Sequence, residues 1–201
     1  SISTMDIRVN PLPSPIPPTS PYTICDDYQD GISLFDLTTL TIDILQGAPY
    51  TITYFETATD ADANTNPITD PAHYYNIFAF NQILYVRAED PITHCYTVMP
   101  ITIAVDPSPT APINVPDIEL CDQDSNPYNA TTLIDLTQNT ANVLGQQPAA
   151  TLGYTIEYYT SLALAQAGTA PIIPATAFNG TDLQTIWVRV ENNLTGCYNL
   201  G

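Results

Sequence analysis

The residues best equipped for chemistry are four cysteines and the acids that follow two of them. Cys25 opens CDDYQDG and Cys121 opens CDQDSNP, while Cys95 lies in THCYT and Cys197 in TGCYN. Carboxylates at alternate positions of a tight turn can converge on a calcium ion, which takes about six to eight oxygen ligands. On that reading the first box offers Asp26 and Asp30, with Tyr28 in the intervening ligand position and Gly31 at the turn. The second offers Asp122, Asp124 and Asn126, with Pro127 where the turn glycine belongs. Neither copy carries the closing glutamate of an EF-hand loop. The alternative is an Asx-rich turn leading from a linker into the first strand. Both readings stand, and calcium is the only cofactor the residues suggest.

The cysteines follow the order C-D, C-Y, C-D, C-Y, with intervals of 70 and 76 residues inside the two pairs. The order exposes an internal repeat, which governs every later inference. LFDLT (34–38) matches LIDLT (133–137), TITYF (51–55) matches TIEYY (155–159), and NPI (66–68) matches API (170–172). YN (75–76) matches FN (178–179), and ILYVRAED (83–90) matches TIWVRVEN (185–192). Four cysteines allow three pairings. The repeat favours Cys25–Cys95 and Cys121–Cys197, one disulfide per copy, against the alternative of four reduced, buried thiols. Paired cysteines imply an oxidising compartment, hence an extracellular or bacterial cell-surface location.

No catalytic residue emerges. His73 and His94 have no counterparts in the other copy, and no GxSxG, HExxH, P-loop or dinucleotide fingerprint occurs. A carboxylate pair for glycoside hydrolysis is allowed by count. The obvious acids nevertheless recur at framework positions in both copies, which suits a scaffold, so the expectation is that the protein is not an enzyme. Asp36 and Asp135, in the matched FDLT and IDLT segments, read as caps of a turn or short helix. Arg87 and Arg189 share the V-R strand position, where an internal salt bridge to a box or loop carboxylate would explain them.

The chain has 201 residues, no lysine, three arginines and a formal net charge of −18. Nucleic-acid binding needs basic patches and is excluded. An anionic membrane surface repels such a chain, and no apolar run approaches the length of a membrane helix. The opening SISTMDIRVNP has no signal-peptide pattern, so a mature product or an excised piece is expected.

Strand signals dominate the elements that must position these residues. TITYFET, ILYVRAE, YTVMPITIAV, YTIEYYT and TIWVRVE are rich in β-branched and aromatic residues, and Pro- and Asx-rich stretches separate them. Only 57–63 and 161–167 suggest a helical turn, capped by Thr57 and Ser161. The fold class expected is all-β: two tandem immunoglobulin-like β-sandwich repeats joined by proline-rich linkers, each with one disulfide. Residues 1–10 read as the last strand of a preceding repeat, 11–21 as a Pro-rich linker and 22–107 as the first sandwich. Residues 108–117 read as a second linker and 118–201 as a second sandwich lacking its final strand. The linkers favour stiff polyproline II. MDIRVNP (5–11) parallels ITIAVDP (101–107), so Met5, Ile7 and Val9 would form the buried face of a strand exchanged with another unit.

The combination of acidic box, FDLT, [IL]-[YW]-V-R, [TG]-C-Y and proline tail resembles the tandem repeats of large Bacteroidetes surface proteins. These include gliding-motility adhesins and other type IX secretion cargo. The resemblance covers nearly the whole chain and implies a long, multi-repeat extracellular polypeptide. The expected role is therefore a stiff stalk of an adhesin or filament, with further copies of the same repeat as partners. The competing class is a carbohydrate-binding module, calcium-dependent or built on exposed tyrosines, with surface glycans as ligands.

Overall fold

The computed structural model describes residues 3–110, 112, 115–122, 125–126, 128–145 and 153–201. The chain divides into two compact units, Ser1–Asp106 and Pro107–Gly201. Each is a small immunoglobulin-like β-sandwich.

In the first unit β1 (Tyr22–Asp26), β2 (Leu34–Phe35), α1 (Thr39–Leu45) and β3 (Thr51–Phe55) are followed by α2 (Ala58–Ala63), β4 (Tyr74–Tyr75), β5 (Asn81–Glu89) and β6 (Tyr96–Pro107). One sheet runs β1-β6-β5-β3, and β2 pairs with β4 in the other. Alternation along the strands builds the core, because every second side chain points to the same face. Leu84, Val86 and Ala88 of β5 are buried, as are Ile101, Ile103 and Val105 of β6. The antiparallel register sets Leu84 opposite Ile101 and Val86 opposite Met99. Phe35, Leu37 and Ile44 join the same cluster.

The helix α1 departs from the sequence expectation. TLTIDIL holds four β-branched residues, which favour strands. Burial overrides that preference: Leu37, Leu40 and Ile44 recur at helical spacing and pack on the core. Asp36 fixes the entry by accepting the Thr38 N–H at 3.0 Å. The Tyr54 hydroxyl donates to the Leu37 carbonyl at 2.8 Å. The expected caps of α2 and its counterpart are present: Thr57 accepts the Asp60 N–H, and Ser161 accepts the Leu164 N–H.

The second unit repeats the plan with β7 (Thr131–Ile134), α3 (Thr140–Leu144), β8 (Tyr154–Tyr159), α4 (Leu162–Ala167), β9 (Phe178–Thr181), β10 (Trp187–Asn192) and β11 (Tyr198–Leu200). Its sheets are β11-β10-β8 and β7-β9. Individual bonds are copied too. The Ile68 N–H donates to the Tyr54 carbonyl and the Ile172 N–H to the Tyr158 carbonyl, both at 2.8 Å.

The units differ at one edge. β6 has 12 residues and β11 has 3; β5 has 9 and β10 has 6. Residues 115–120, the counterpart of the approach to β1, hold no strand, and Leu120 is exposed where Ile24 packs on the first core. Among the described residues the first core cluster has eleven buried members and the second has five.

The proline runs do not stand free. Pro13 is buried and its carbonyl accepts the Thr97 hydroxyl at 2.6 Å, while the Ile16 N–H donates to the Ile44 carbonyl. In the second unit the Asn199 side chain donates to the Pro109 carbonyl at 3.3 Å. Residues 3–10, by contrast, hold no strand, and Met5, Ile7 and Val9 are 83%, 81% and 88% exposed. Among the described residues no helix is long and apolar enough to cross a membrane.

Candidate functional site

The cysteines occupy opposite ends of each sandwich. Cys25 precedes Asp26, whose carboxylate binds the Gly31 N–H, and Gly31 in turn lies against Phe80 at the start of β5. Cys95 lies beyond the other end of β5, in the turn into β6, where its carbonyl accepts the Asp90 N–H at 2.9 Å. The nine residues of β5 therefore separate them. At about 3.3 Å per residue that is roughly 25–30 Å, far above the ~7 Å limit for bridged Cα atoms. The expected within-repeat pairing is accordingly not the one formed. Cys25 and Cys197 are disulfide-bonded to each other, and Cys95 and Cys121 are free thiols. The repeat register sorts the cysteines into two kinds correctly. What it hides is that each kind sits at its own end of a unit.

The second kind is held identically in both units. The Cys95 N–H donates to the Thr93 hydroxyl and the Cys197 N–H to the Thr195 hydroxyl. The Cys197 carbonyl accepts the Asn192 N–H at 2.8 Å, matching the Asp90 bond to Cys95. The turns depend on positive φ: His94 at 58° and Gly196 at 75°. Asp90 accepts the Thr93 and Ile92 N–H groups, which holds its carboxyl below the usual range. His94 donates to Glu89, which together with Arg87 lowers the Glu89 carboxyl.

The paired arginines brace the strand beside this turn. Arg87 Nη1 donates to the carbonyls of Ala61 and Asp62 at 3.0 Å, and Arg189 Nη1 to those of Ala165 and Gln166. These carbonyls lie in the last turns of α2 and α4, at the negative end of the helix dipole, and that of Ala165 also accepts the Gly168 N–H. Arg87 also pairs with Glu89 and Arg189 with Glu191, at 2.9 and 2.8 Å. Each guanidinium lies 3.4 Å from a ring centroid, Tyr96 and Tyr198 respectively. The expected partner class, a carboxylate, is right, but its position is not the box. Residues two apart on a strand share a face, so the nearest glutamate serves. On the same face of that strand pair, Tyr159 on β8 is buried and donates to Glu157, the register partner of Arg189, and burial pushes its hydroxyl up to about 12. Burial raises Tyr74 to about 12 as well.

The first acidic box is built as a turn. Asp26 is fully buried and accepts three backbone N–H groups: Tyr28 at 3.1 Å, Gln29 at 2.6 Å and Gly31 at 2.7 Å. Three backbone donors commit the buried Asp26 carboxylate to holding the turn, the role of an Asx-rich turn. Asp30 caps the next turn by accepting the Ile32 N–H. Gly31 is required by close approach: a Cβ there would lie 2.9 Å from both Ala79 Cβ and Phe80 N. In the second box Asp122 accepts the Ala130 N–H through one oxygen, and its other oxygen is buried without a partner among the described residues. Asp124 and Pro127 lie outside the described residues, and Asn126 shapes the turn through its carbonyl. Among the described residues no group of three or more His, Cys, Asp or Glu side chains could hold a metal.

Met5, Ile7 and Val9, expected to face a core, meet none here. In the first unit the register partners of that motif, Ile101, Ile103 and Val105, are at most 4% exposed. The model of a protein family described as the Flavobacterium inter-domain disulphide bond domain matches the chain twice, over residues 21–109 and 117–201. No curated protein matches the chain.

Proposed function

Because the chain belongs to the Flavobacterium inter-domain disulphide bond domain family, with two copies in tandem, we propose that it is a load-bearing stalk segment of an extracellular adhesin or filament. One observation carries this reading: the single disulfide joins the first cysteine of one unit to the second cysteine of the next. Residues 26–196 then lie inside one covalent loop. Tension applied at the chain ends passes through the sulfur–sulfur bond and bypasses both cores. Sandwiches with small cores, exposed to shear, gain most from such a bypass, since covalent cross-links limit the unfolded chain's extension whatever the native stability.

Other features support the same reading. A net charge of −18 disfavours collapse of neighbouring segments on each other. Two of the three arginines, the only tryptic sites in a chain without lysine, are buried. His73 pairs with the exposed Asp70 and His94 with the half-buried Glu89, not with a nucleophile, so no catalytic role is assigned to them. The disulfide supports placing this role in an oxidising, extracellular setting.

Single-molecule stretching from the two ends tests the stalk. Oxidised protein should yield no long extension on pulling. Reduction, or Cys25→Ser, should release the 26–196 loop at about 3.4 Å per residue, close to 600 Å. A full-length extension in oxidised protein would overturn the reading. A carbohydrate-binding role is the second reading, favoured by a surface cleft where Tyr75, 59% exposed, stands with Glu56, Asn66, Asp70 and His73. A glycan-array signal lost on Tyr75→Ala would establish it, and array silence would remove it.

A further inference from the structure

The cleft beside Tyr75 in the first unit has a chemistry that the second unit does not repeat. We propose that it binds an amino sugar whose amine is free and protonated, with the ammonium group on Glu56 and the pyranose ring on Tyr75. The inference rests on the carbohydrate reading given above and deepens it by naming the class of sugar.

The repeat supplies the first argument. The caps Thr57 and Ser161, the bonds from Ile68 and Ile172 to Tyr54 and Tyr158, and the strand partners of Phe35 and Ile134 align residues 54–75 with 158–179 without a gap. Phe178 therefore stands at Tyr74, one residue from the match read in the sequence. Pro67 and Ile68, which shape the cleft wall, recur as Pro171 and Ile172. The groups able to bind a ligand do not recur. Thr160 stands at the position of Glu56, Ala170 at Asn66, Pro174 at Asp70, Ala177 at His73, Phe178 at Tyr74 and Asn179 at Tyr75. The same sandwich forms without them, so the fold itself does not require them.

The second argument is the way one acid is held. Gln82 Nε2 donates to the Tyr74 hydroxyl at 2.7 Å, and that hydroxyl donates to Glu56 Oε1 at 3.3 Å. Gln82 and Tyr74 are buried, whereas Glu56 is exposed on the cleft. A buried relay braces a surface carboxylate, which cuts the side-chain freedom lost when a ligand binds. Glu56 Oε2 has no partner among the described residues. The cleft holds about 680 Å³, within the roughly 300–1,000 Å³ of small-molecule sites. Tyr75 lies opposite Leu34 across the β2–β4 pair, and both are exposed, so an apolar platform adjoins the carboxylate.

These groups select the ligand. Glu56 and Asp70 line the cleft and neither arginine nor lysine does, so an anion is repelled. A neutral sugar would leave the desolvated Glu56 charge unbalanced, while an ammonium neutralises it through a charge-assisted hydrogen bond. Asp70 is already engaged by His73 Nδ1 at 3.1 Å, which leaves Glu56 as the acceptor for the ammonium. The face of the Tyr75 ring is electron-rich and suits the C–H face of a pyranose. Thr69, on the same wall, is a partner for a ring hydroxyl.

The test is calorimetric titration of the full chain, its Cys25–Cys197 bond intact, with a β-1,4-linked glucosamine tetramer and with the N-acetylated form of that tetramer. The free-amine tetramer should bind at least about tenfold more tightly, the scale of one added charge-assisted hydrogen bond. Glu56→Gln should erase that preference and leave the weaker binding of the acetylated form unchanged, and Tyr75→Ala should weaken both. Glutamine keeps an oxygen for the Tyr74 hydroxyl, so folding is not at risk, and an unchanged melting temperature checks it. Glu119→Gln removes the same charge from an exposed position in the second unit and should change nothing. Equal losses in Glu56→Gln and Glu119→Gln would show diffuse attraction of a polycation to an acidic surface and would overturn the proposal. Tetralysine binding as tightly as the glucosamine tetramer would also overturn it, by assigning the cleft to a polypeptide cation. Equal affinity for the two tetramers would overturn the free-amine assignment and leave the carbohydrate reading standing. Silence towards both tetramers would overturn the proposal, and only silence across the glycan array would remove the carbohydrate reading with it.

Discussion

The Arg189 guanidinium meets two helix-end carbonyls, a carboxylate and a tyrosine face. A lysine ammonium cannot reproduce that fork, because it is a compact point charge. Arg189→Lys is expected to destabilise the second unit by about 1.5–3 kcal/mol, the range for hydrogen bonds to charged groups. Urea unfolding followed by Trp187 fluorescence checks it, since Trp187 is the only tryptophan. The tyrosines set a second expectation at this scale. Tyr74 and Tyr159 are held near 12, above the unfolded value of about 10. Their contribution is therefore complete below pH 10 and is lost as pH rises from 10 towards 12. Melting temperature should fall over that window, and less steeply in Tyr159→Phe. On the acid side Glu89 and Asp90 are lowered, so their contribution is present above the unfolded carboxylate range and fades as pH drops through it. The arginine positions were legible in the sequence because both copies carry them. Their partners were not, because a helix C-terminus arriving beside a strand is a tertiary event.

Strands were the most legible elements, because β-branched and aromatic alternation marks a sheet directly. The helix α1 was not legible: its residues prefer strands, and only the pocket between Leu37 and Tyr54 makes it helical. The difference between the two cores is seen only in the fold: among the described residues eleven buried side chains cluster in the first unit and five in the second. Burying three side chains such as Ile101, Ile103 and Val105 is worth about 1.5–3 kcal/mol each. The second unit, with the smaller core cluster among the described residues, is expected to unfold first once the disulfide is reduced. Trp187 fluorescence should then change at lower urea than the main far-UV circular dichroism transition, which the first unit dominates. Coincident transitions would contradict this, as would a first unit that melts before the second.

At the scale of the molecule, the sequence announced two tandem β-sandwich units, and the repeat itself concealed the connectivity of the cysteines. Register shows which cysteines are equivalent; it does not show which ends of a sandwich they occupy. That depends on the length of β5, which keeps Cys25 and Cys95 apart. The central claim is that the units are tied to each other, not each to itself, and the scarcity of basic residues makes it easy to test. With free thiols blocked and the chain denatured but unreduced, trypsin cuts only after Arg8, Arg87 and Arg189, giving pieces 1–8, 9–87, 88–189 and 190–201. Mass analysis is predicted to find 9–87 linked to 190–201 through Cys25 and Cys197, with 88–189 released and carrying two blocked cysteines. A single product linking 9–87, 88–189 and 190–201 would show one bond inside each unit and would contradict the account.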